Sequence, residues 1–279
     1  MSLPLARVVG LLQSLAPLSL AEPWDNVGLL LEPLADRHDA AFAPHVGRVL
    51  FTIDLTEAVL AEAVAGDFDL VVAYHPPLFQ PQKRLTSATP SERVIVGALR
   101  AGIAVYSPHT ALDAAENGMN DWLSLGVGSG ASVPLLPADA SEKSGSVRVG
   151  QGRAVTLDQP SSLALVVELM KAHLRRPALR VAATPAQRDG AAVQRIALSA
   201  GSGRSVFERA PGFDVYVTGE LSHHHVEALL ASGSSVILCE HSSSERGFLP
   251  AFAERLRAIA GGAVETVVSS ADREPLEVW

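Results

Sequence analysis

The chain has 279 residues, 48% hydrophobic and 19% charged, which is enough for one large core or two smaller ones and too apolar for disorder. A formal charge of −8 argues against the clustered Lys and Arg of a nucleic-acid footprint, and suits a solvated cytosolic surface. The single Cys239 excludes an internal disulfide and a cysteine-based zinc site, so any metal must be held by imidazole nitrogen and carboxylate oxygen.

From Met1 to Leu20, apolar residues recur at helical spacing and are interrupted by Pro4 and Pro17. This stretch reads as a helix and not a signal peptide. No apolar run reaches the roughly 18 to 20 residues of a membrane span, so the expected compartment is the cytosol. Arg48 to Ile53 (RVLFTI) is a short buried strand ending at Asp54, and Leu55 to Ala65 has the Ala, Leu and Glu content of a helix. Asp69 to Ala73 (DLVVA) is a second strand, followed by Tyr74-His75-Pro76-Pro77. A helix from Ser91 to Ala101 leads into a third strand, Gly102 to Tyr106. This alternation predicts a mostly parallel or mixed sheet flanked by helices.

Between Gly126 and Gln194 the character changes to Gly, Ser, Ala and Pro with short strand signals, as at a domain boundary. The βα rhythm returns at Arg195 to Ala200 and continues through Asp214 to Thr218, Ser235 to Cys239 and Glu265 to Ser269. A helix from Gly247 to Ala260 separates the last two.

The informative polar residues follow predicted strands, where the active sites of open α/β sheets lie. His75 follows DLVVA, His109 and Asp113 follow GIAVY, Glu220 follows DVYVT and His241 follows SVILC. His109 and Asp113 are four residues apart, and so are His241 and Glu245; on a helical turn each pair faces one way. Carboxylates and imidazoles converging in one crevice need a cation to neutralise them. Such a group suits a dinuclear site that lowers the pKa of a bound water. The competing reading is structural: a strand-end histidine satisfied by backbone, and ordinary helix-start contacts. His38, His45 and His173 read as solvated.

Six segments occur together in order: WDNVG (Trp24 to Gly28), YHPPLF (Tyr74 to Phe79), HTALDAAENGMNDWL (His109 to Leu123), AGSGRS (Ala200 to Ser205), VTGELSHH (Val217 to His224) and EHSSSERGFL (Glu240 to Leu249). In this the chain resembles the GTP cyclohydrolase type 2 homologues, the YbgI-like or NGG-interacting-factor-like family. The resemblance implies a discontinuous outer metal-binding α/β domain, residues 1–127 and 235–279, with a smaller α/β domain, 128–234, inserted. It implies hexameric toroids and a pair of divalent ions (Zn, Mn, Fe or Ni) held by His75, Asp113, His241 and Glu245. Tyr74 stands where the fuller pattern has another histidine. A phenol, with a reference pKa of about 10, ligates well only as phenolate and otherwise donates a hydrogen bond. One ion is then held more weakly, and His109 is the natural substitute or supporting partner. The activity implied is metal-dependent hydrolysis of a nucleotide-like small molecule, in the sharper version opening of the imidazole ring of GTP. His109, Glu220 or His224 would move protons. The alternative is a non-catalytic metal-binding regulator, scaffold or metal chaperone.

Overall fold

A computed structural model describes residues 2–33, 44–138 and 148–277. In chain order the elements begin with strand β1 (Leu3–Pro4), helix α1 (Leu5–Leu15), β2 (Gly28–Leu31), β3 (His45–Val46), β4 (Arg48–Thr52), α2 (Glu57–Ala65), β5 (Leu70–Ala73), α3 (Pro90–Arg100), β6 (Ala104–Ser107) and α4 (His109–Ala114). There follow α5 (Met119–Ser124), β7 (Gly130–Pro137), β8 (Gly150–Ser161), α6 (Leu163–Leu174), β9 (Arg180–Ala182), α7 (Pro185–Arg188), β10 (Val193–Ser202), α8 (Arg204–Phe207), β11 (Val215–Glu220), α9 (His223–Ala231) and β12 (Ser235–Leu238). The chain closes with α10 (Leu249–Ile259) and β13 (Glu265–Val268). They form two units, Met1–Leu112 with Leu249–Pro275, and Asp113–Phe248 with Leu276–Trp279. His38 lies outside the described residues. Among the described residues, no helix is long and apolar enough to cross a membrane.

The first unit is built on a five-stranded sheet, ordered β13-β4-β5-β6-β2, parallel except for β2. Its central strands are apolar on both faces because both are covered. Leu50 of β4 joins Val71 and Val105 in a core with Val59 of α2 and Ile95 of α3. The next residue, Phe51, points to the opposite face, where its ring meets Phe252 of α10 edge-on at 5.4 Å. Thr56 and Thr89 cap α2 and α3 by accepting from Val59 N–H and Glu92 N–H, which fixes where the loops leaving β4 and β5 end.

The second unit holds a six-stranded mixed sheet, ordered β7-β8-β10-β11-β12-β9. β10, β11 and β12 run parallel, and β8, β7 and β9 are antiparallel to their neighbours. Tyr216 packs with Ala197, Val206 and Phe207 on one face. The Gly- and Pro-rich stretch after residue 128 thus contains a long antiparallel pair, β7 with β8. Pro134 and Pro137 fit in β7 because it is an edge strand, where a missing N–H is tolerated.

Candidate metal centre

In the first unit, the loops leaving β4, β5 and β6 carry the chemistry. Tyr74 N–H and His75 N–H bond to the carbonyls of Thr52 and Ile53, so His75 leaves the sheet next to Asp54. His75 Nδ1 lies 2.9 Å from Asp54 Oδ1. His109, which opens α4, repeats the arrangement: its Nδ1 is 2.7 Å from Asp25 Oδ1, and Asp25 Oδ2 accepts from Thr110 Oγ1 at 2.5 Å and Thr110 N–H at 3.1 Å. His109 adopts a φ of +29°, a conformation non-glycine residues seldom hold without compensation. Burial pushes the Asp25 carboxyl up, but the His109 and Thr110 hydrogen bonds and the His109 charge outweigh it. The group stays below the ordinary carboxylate value.

Tyr74 is buried between these imidazoles, its ring 5.0 Å from that of His75 and 5.5 Å from that of His109; the two imidazoles are 5.5 Å apart. The structure therefore brings Tyr74, His75 and His109 together. Of the acids that hold the two histidines, Asp25 lies in the WDNVG motif, whereas Asp54 carried little sequence signal. Asp54 closes a strand, as the flagged residues do, but Asp25 sits in a loop 84 residues from its partner.

In the second unit, the paired residues are Glu220, at the end of β11, and His241 and Glu245, in the turns after β12. His241 Nδ1 is 3.1 Å from Glu220 Oε1, while His241 Nε2 is 3.4 Å from Oε1 of Glu245, whose side chain is only 2% exposed. A bulge in β10 shapes this cradle: Ser199 pairs with Thr218 but Ser202 pairs with Glu220, so one extra residue is accommodated. The chain turns there through Gly201 at φ +60°. A Cβ on Gly201 would stand 2.6 Å from Glu245 Oε1 and 3.1 Å from His241 Nε2. Gly201 N–H donates to Ser244 Oγ at 2.8 Å, and Ser244 Oγ donates to the His241 carbonyl at 2.6 Å.

Asp113 is tied to the same loop through Asn120, whose Nδ2 donates to the Asp113 carbonyl at 3.1 Å and whose Oδ1 accepts from Ala200 N–H at 2.8 Å. His224 is exposed on the first turn of α9, its ring edge-on to that of His223 at 5.5 Å, and the Glu220, His241 and Glu245 contacts do not include it. Cys239 is a free, buried thiol, which burial and the Glu240 charge push up to about 12. His173, expected on a polar face, is instead half-buried with its ring 4.4 Å from that of Trp122, and burial pushes its pKa down.

The donor set fits a borderline divalent ion. A separation of 3.4 Å between Nε2 and Oε1 is longer than an ordinary N–H···O hydrogen bond. It matches the edge of a tetrahedron with ligands about 2.1 Å from its centre, which is about 3.4 Å. The Nδ1 atoms of His241, His75 and His109 each face a carboxylate, the kind of contact that orients an imidazole and leaves its Nε2 available to a ligand.

Fold and side chains together define a mixed α/β protein of two units with His–carboxylate pairs at strand ends. The pattern of the Duf34/NIF3 (NGG1p interacting factor 3) family matches residues 4–275. NIF3-like protein 1 of Drosophila melanogaster is 38% identical over 272 residues, covering 98% of this chain and 88% of that one. NGG1-interacting factor 3 of Saccharomyces cerevisiae is 39% identical over 261 residues, covering 91% and 90%. The crystal structure of a Bacillus cereus protein related to NIF3 shares the fold, with a TM-score of 0.84 at 19% identity over 98% of each chain. The chain belongs to the Duf34/NIF3 family, as its six motifs implied.

Proposed function

We propose that this protein is a metal-dependent hydrolase of a nucleotide-like small molecule. In this reading two divalent ions (Zn, Mn, Fe or Ni) are held by the imidazoles of His75 and His241 and the carboxylates of Asp113 and Glu245. Of these, His241 and Glu245 stand together in the second unit. The observation that carries the reading is the His241–Glu245 pair, two donor atoms at 3.4 Å over a glycine that leaves them room. Bound there, a divalent ion supplies Lewis acidity and lowers the pKa of a bound water.

The chain's own residues do the rest. Asp54 and Glu220 hold the Nδ1 atoms of His75 and His241, which presents Nε2 for ligation. His109, held by Asp25, carries a proton to or from the reacting group, with Glu220 and His224 as the further candidates. Tyr74 packs between the imidazoles as a buried phenol and limits one side of the site. In the sharper version the substrate is GTP, water adds at the purine C8 and the imidazole ring opens. Assembly as a hexamer belongs to the same reading and is checked by the mass of the native particle.

Elemental analysis of the purified protein tests the ligand set, with the native chain compared against Asp113→Ala and His241→Ala. The native chain should carry divalent metal that both variants lose, and should consume GTP with loss of purine absorbance. Equal metal in all three would sink the ligand set. Metal in the native chain without turnover of any nucleotide would leave a metal-binding regulator or carrier.

A further inference from the structure

Two large aromatic side chains of the first unit are left in solvent next to the His109 imidazole. Trp24 is 60% exposed and Phe79 is 42% exposed. Their rings meet edge-on with centroids 6.0 Å apart, and they stand 6.1 Å and 6.4 Å from the ring of His109. Single exposed aromatics are ordinary, but these two converge with Leu85 on one cleft of about 590 Å³. The remaining lining includes the amides of Asn26, Gln80 and Gln82. The lining is therefore mixed, with aromatic and aliphatic faces beside side-chain amides that can hydrogen-bond a ligand.

The electrostatics of this cleft select one part of a ligand. No cationic side chain is among its described lining residues, so nothing there favours a phosphate. Asp25 also lines it, but its side chain is 0% exposed and engaged by His109, Thr110 and the Asn26 N–H, so its carboxylate does not confront the cleft as a bare charge. Asn26 Nδ2 also donates to the Leu78 carbonyl, which pins the Trp24 loop to the Phe79 loop and fixes the two rings relative to each other. An aromatic corner bordered by neutral amides suits a neutral planar heterocycle, which stacks on one ring, meets the other edge-on and hydrogen-bonds along its edge.

We propose that this cleft is a subsite for a purine base, stacked on Trp24 and met edge-on by Phe79 beside His109. The proposal rests on the nucleotide-hydrolase reading only for the kind of ligand.

Calorimetry on the full-length, metal-loaded protein tests it with two probes, guanosine monophosphate and ribose 5-phosphate, which lacks the base. Guanosine monophosphate should bind saturably and at least about 10-fold more tightly than ribose 5-phosphate. Trp24→Ala and Phe79→Ala should each weaken it about 10-fold, as expected for loss of one aromatic partner, with metal content unchanged. Trp24→Phe, which keeps a stacking face, should recover most of the affinity. The proposal is overturned by equal binding of the two probes, by no binding, or by Trp24→Ala binding as the native chain does. It is equally overturned if both alanine variants change the mass of the particle and leave base binding intact. Base-dependent binding without GTP turnover would retire the hydrolase and keep the subsite; GTP turnover indifferent to Trp24 and Phe79 would do the reverse.

Discussion

Asp25 and His109 meet across 84 residues of sequence, Oδ1 to Nδ1 at 2.7 Å. The relationship recurs: Asp54 holds Nδ1 of His75, and Glu220 holds Nδ1 of His241. Each of three strand-end imidazoles is thus oriented by a carboxylate from another segment. The repetition is what a site needs when the Nε2 atoms must be presented in fixed directions. An isolated contact of this kind would be ordinary packing; here it recurs on three histidines that the motifs single out, two in the first unit and one in the second.

Asp25→Asn should therefore lower nucleotide turnover about 10- to 100-fold while leaving metal content near the native level. The carboxamide keeps the shape but no longer holds His109 in one tautomer, and the strained φ of +29° loses its support. Acid titration gives a second readout. Asp25 has a folded value below the ordinary one, so its charge contributes stability that is complete above the unfolded value of about 3.9. That contribution fades as pH falls through the folded value. The gap in Tm between native chain and variant should be largest at neutral pH and close in acid; a gap that widens in acid would refute the assignment.

Glu62 offers a purely structural counterpart. From α2 it accepts hydrogen bonds from Ser269 Oγ, from Ser270 N–H and Oγ at 2.9 and 2.7 Å, and from Ala271 N–H at 3.3 Å. Burial pushes its carboxyl up, but these bonds prevail and hold it at about 2. Glu62→Gln should lower Tm at neutral pH, with the difference constant down to the unfolded carboxyl value of about 4.3 and vanishing as pH approaches the folded one. Because Asp272 of the same loop accepts from Ile53 N–H at 2.7 Å, hydrogen exchange at Ile53 should quicken in the variant.

How much of this was legible beforehand depended on periodicity. β4, α2, β5, α3 and β6 stand within a few residues of their expected places, because buried parallel strands are continuous apolar runs and the helices between them carry caps. β2 carries no strand signal of its own, since Gly28 to Leu31 is short; only pairing with β6 makes it a strand. β7 and β8 escaped notice because an edge pair exposes one side and tolerates Pro and Gly, which blurs the alternation. In the site, the strand-end histidines were legible from position and motif. The partner Asp54 was not, because nothing local marks an acid that serves a distant ring; Asp25 stands in the WDNVG motif, which puts it beside the site without naming His109 as its partner.

Arg153 shows the same blindness in the core. It is 1% exposed, and its guanidinium binds Asp121 through Nε and through Nη2, at 3.0 Å for the latter. It also donates to the carbonyls of Gly150, Gly152 and Ala115 at 2.8, 2.7 and 3.1 Å. This clamp anchors the segment just after Asp113 to β8. Arg153→Leu should cost about 3–5 kcal/mol in urea unfolding, since it strands Asp121 and three carbonyls. Arg153→Lys keeps the charge without the fork and should cost less. A loss below about 1 kcal/mol for the leucine variant would mean that the clamp is no more than a surface ion pair.

Gly201→Ala separates backbone strain from the cradle itself. At φ +60° any side chain costs about 1–2 kcal/mol, and here the new Cβ would also stand 2.6 Å from Glu245 Oε1 and 3.1 Å from His241 Nε2. Gly190→Ala is the control, since Gly190 has φ +97° but nothing within 4 Å of an added Cβ. Both variants should lose Tm, whereas only Gly201→Ala should lose bound metal on dialysis, because Glu245 is buried and cannot step aside without giving up the His241 pairing. Should Gly201→Ala keep its full complement of metal, the space between His241 Nε2 and Glu245 Oε1 would not be where the ion sits, and their 3.4 Å spacing would be a feature of packing alone.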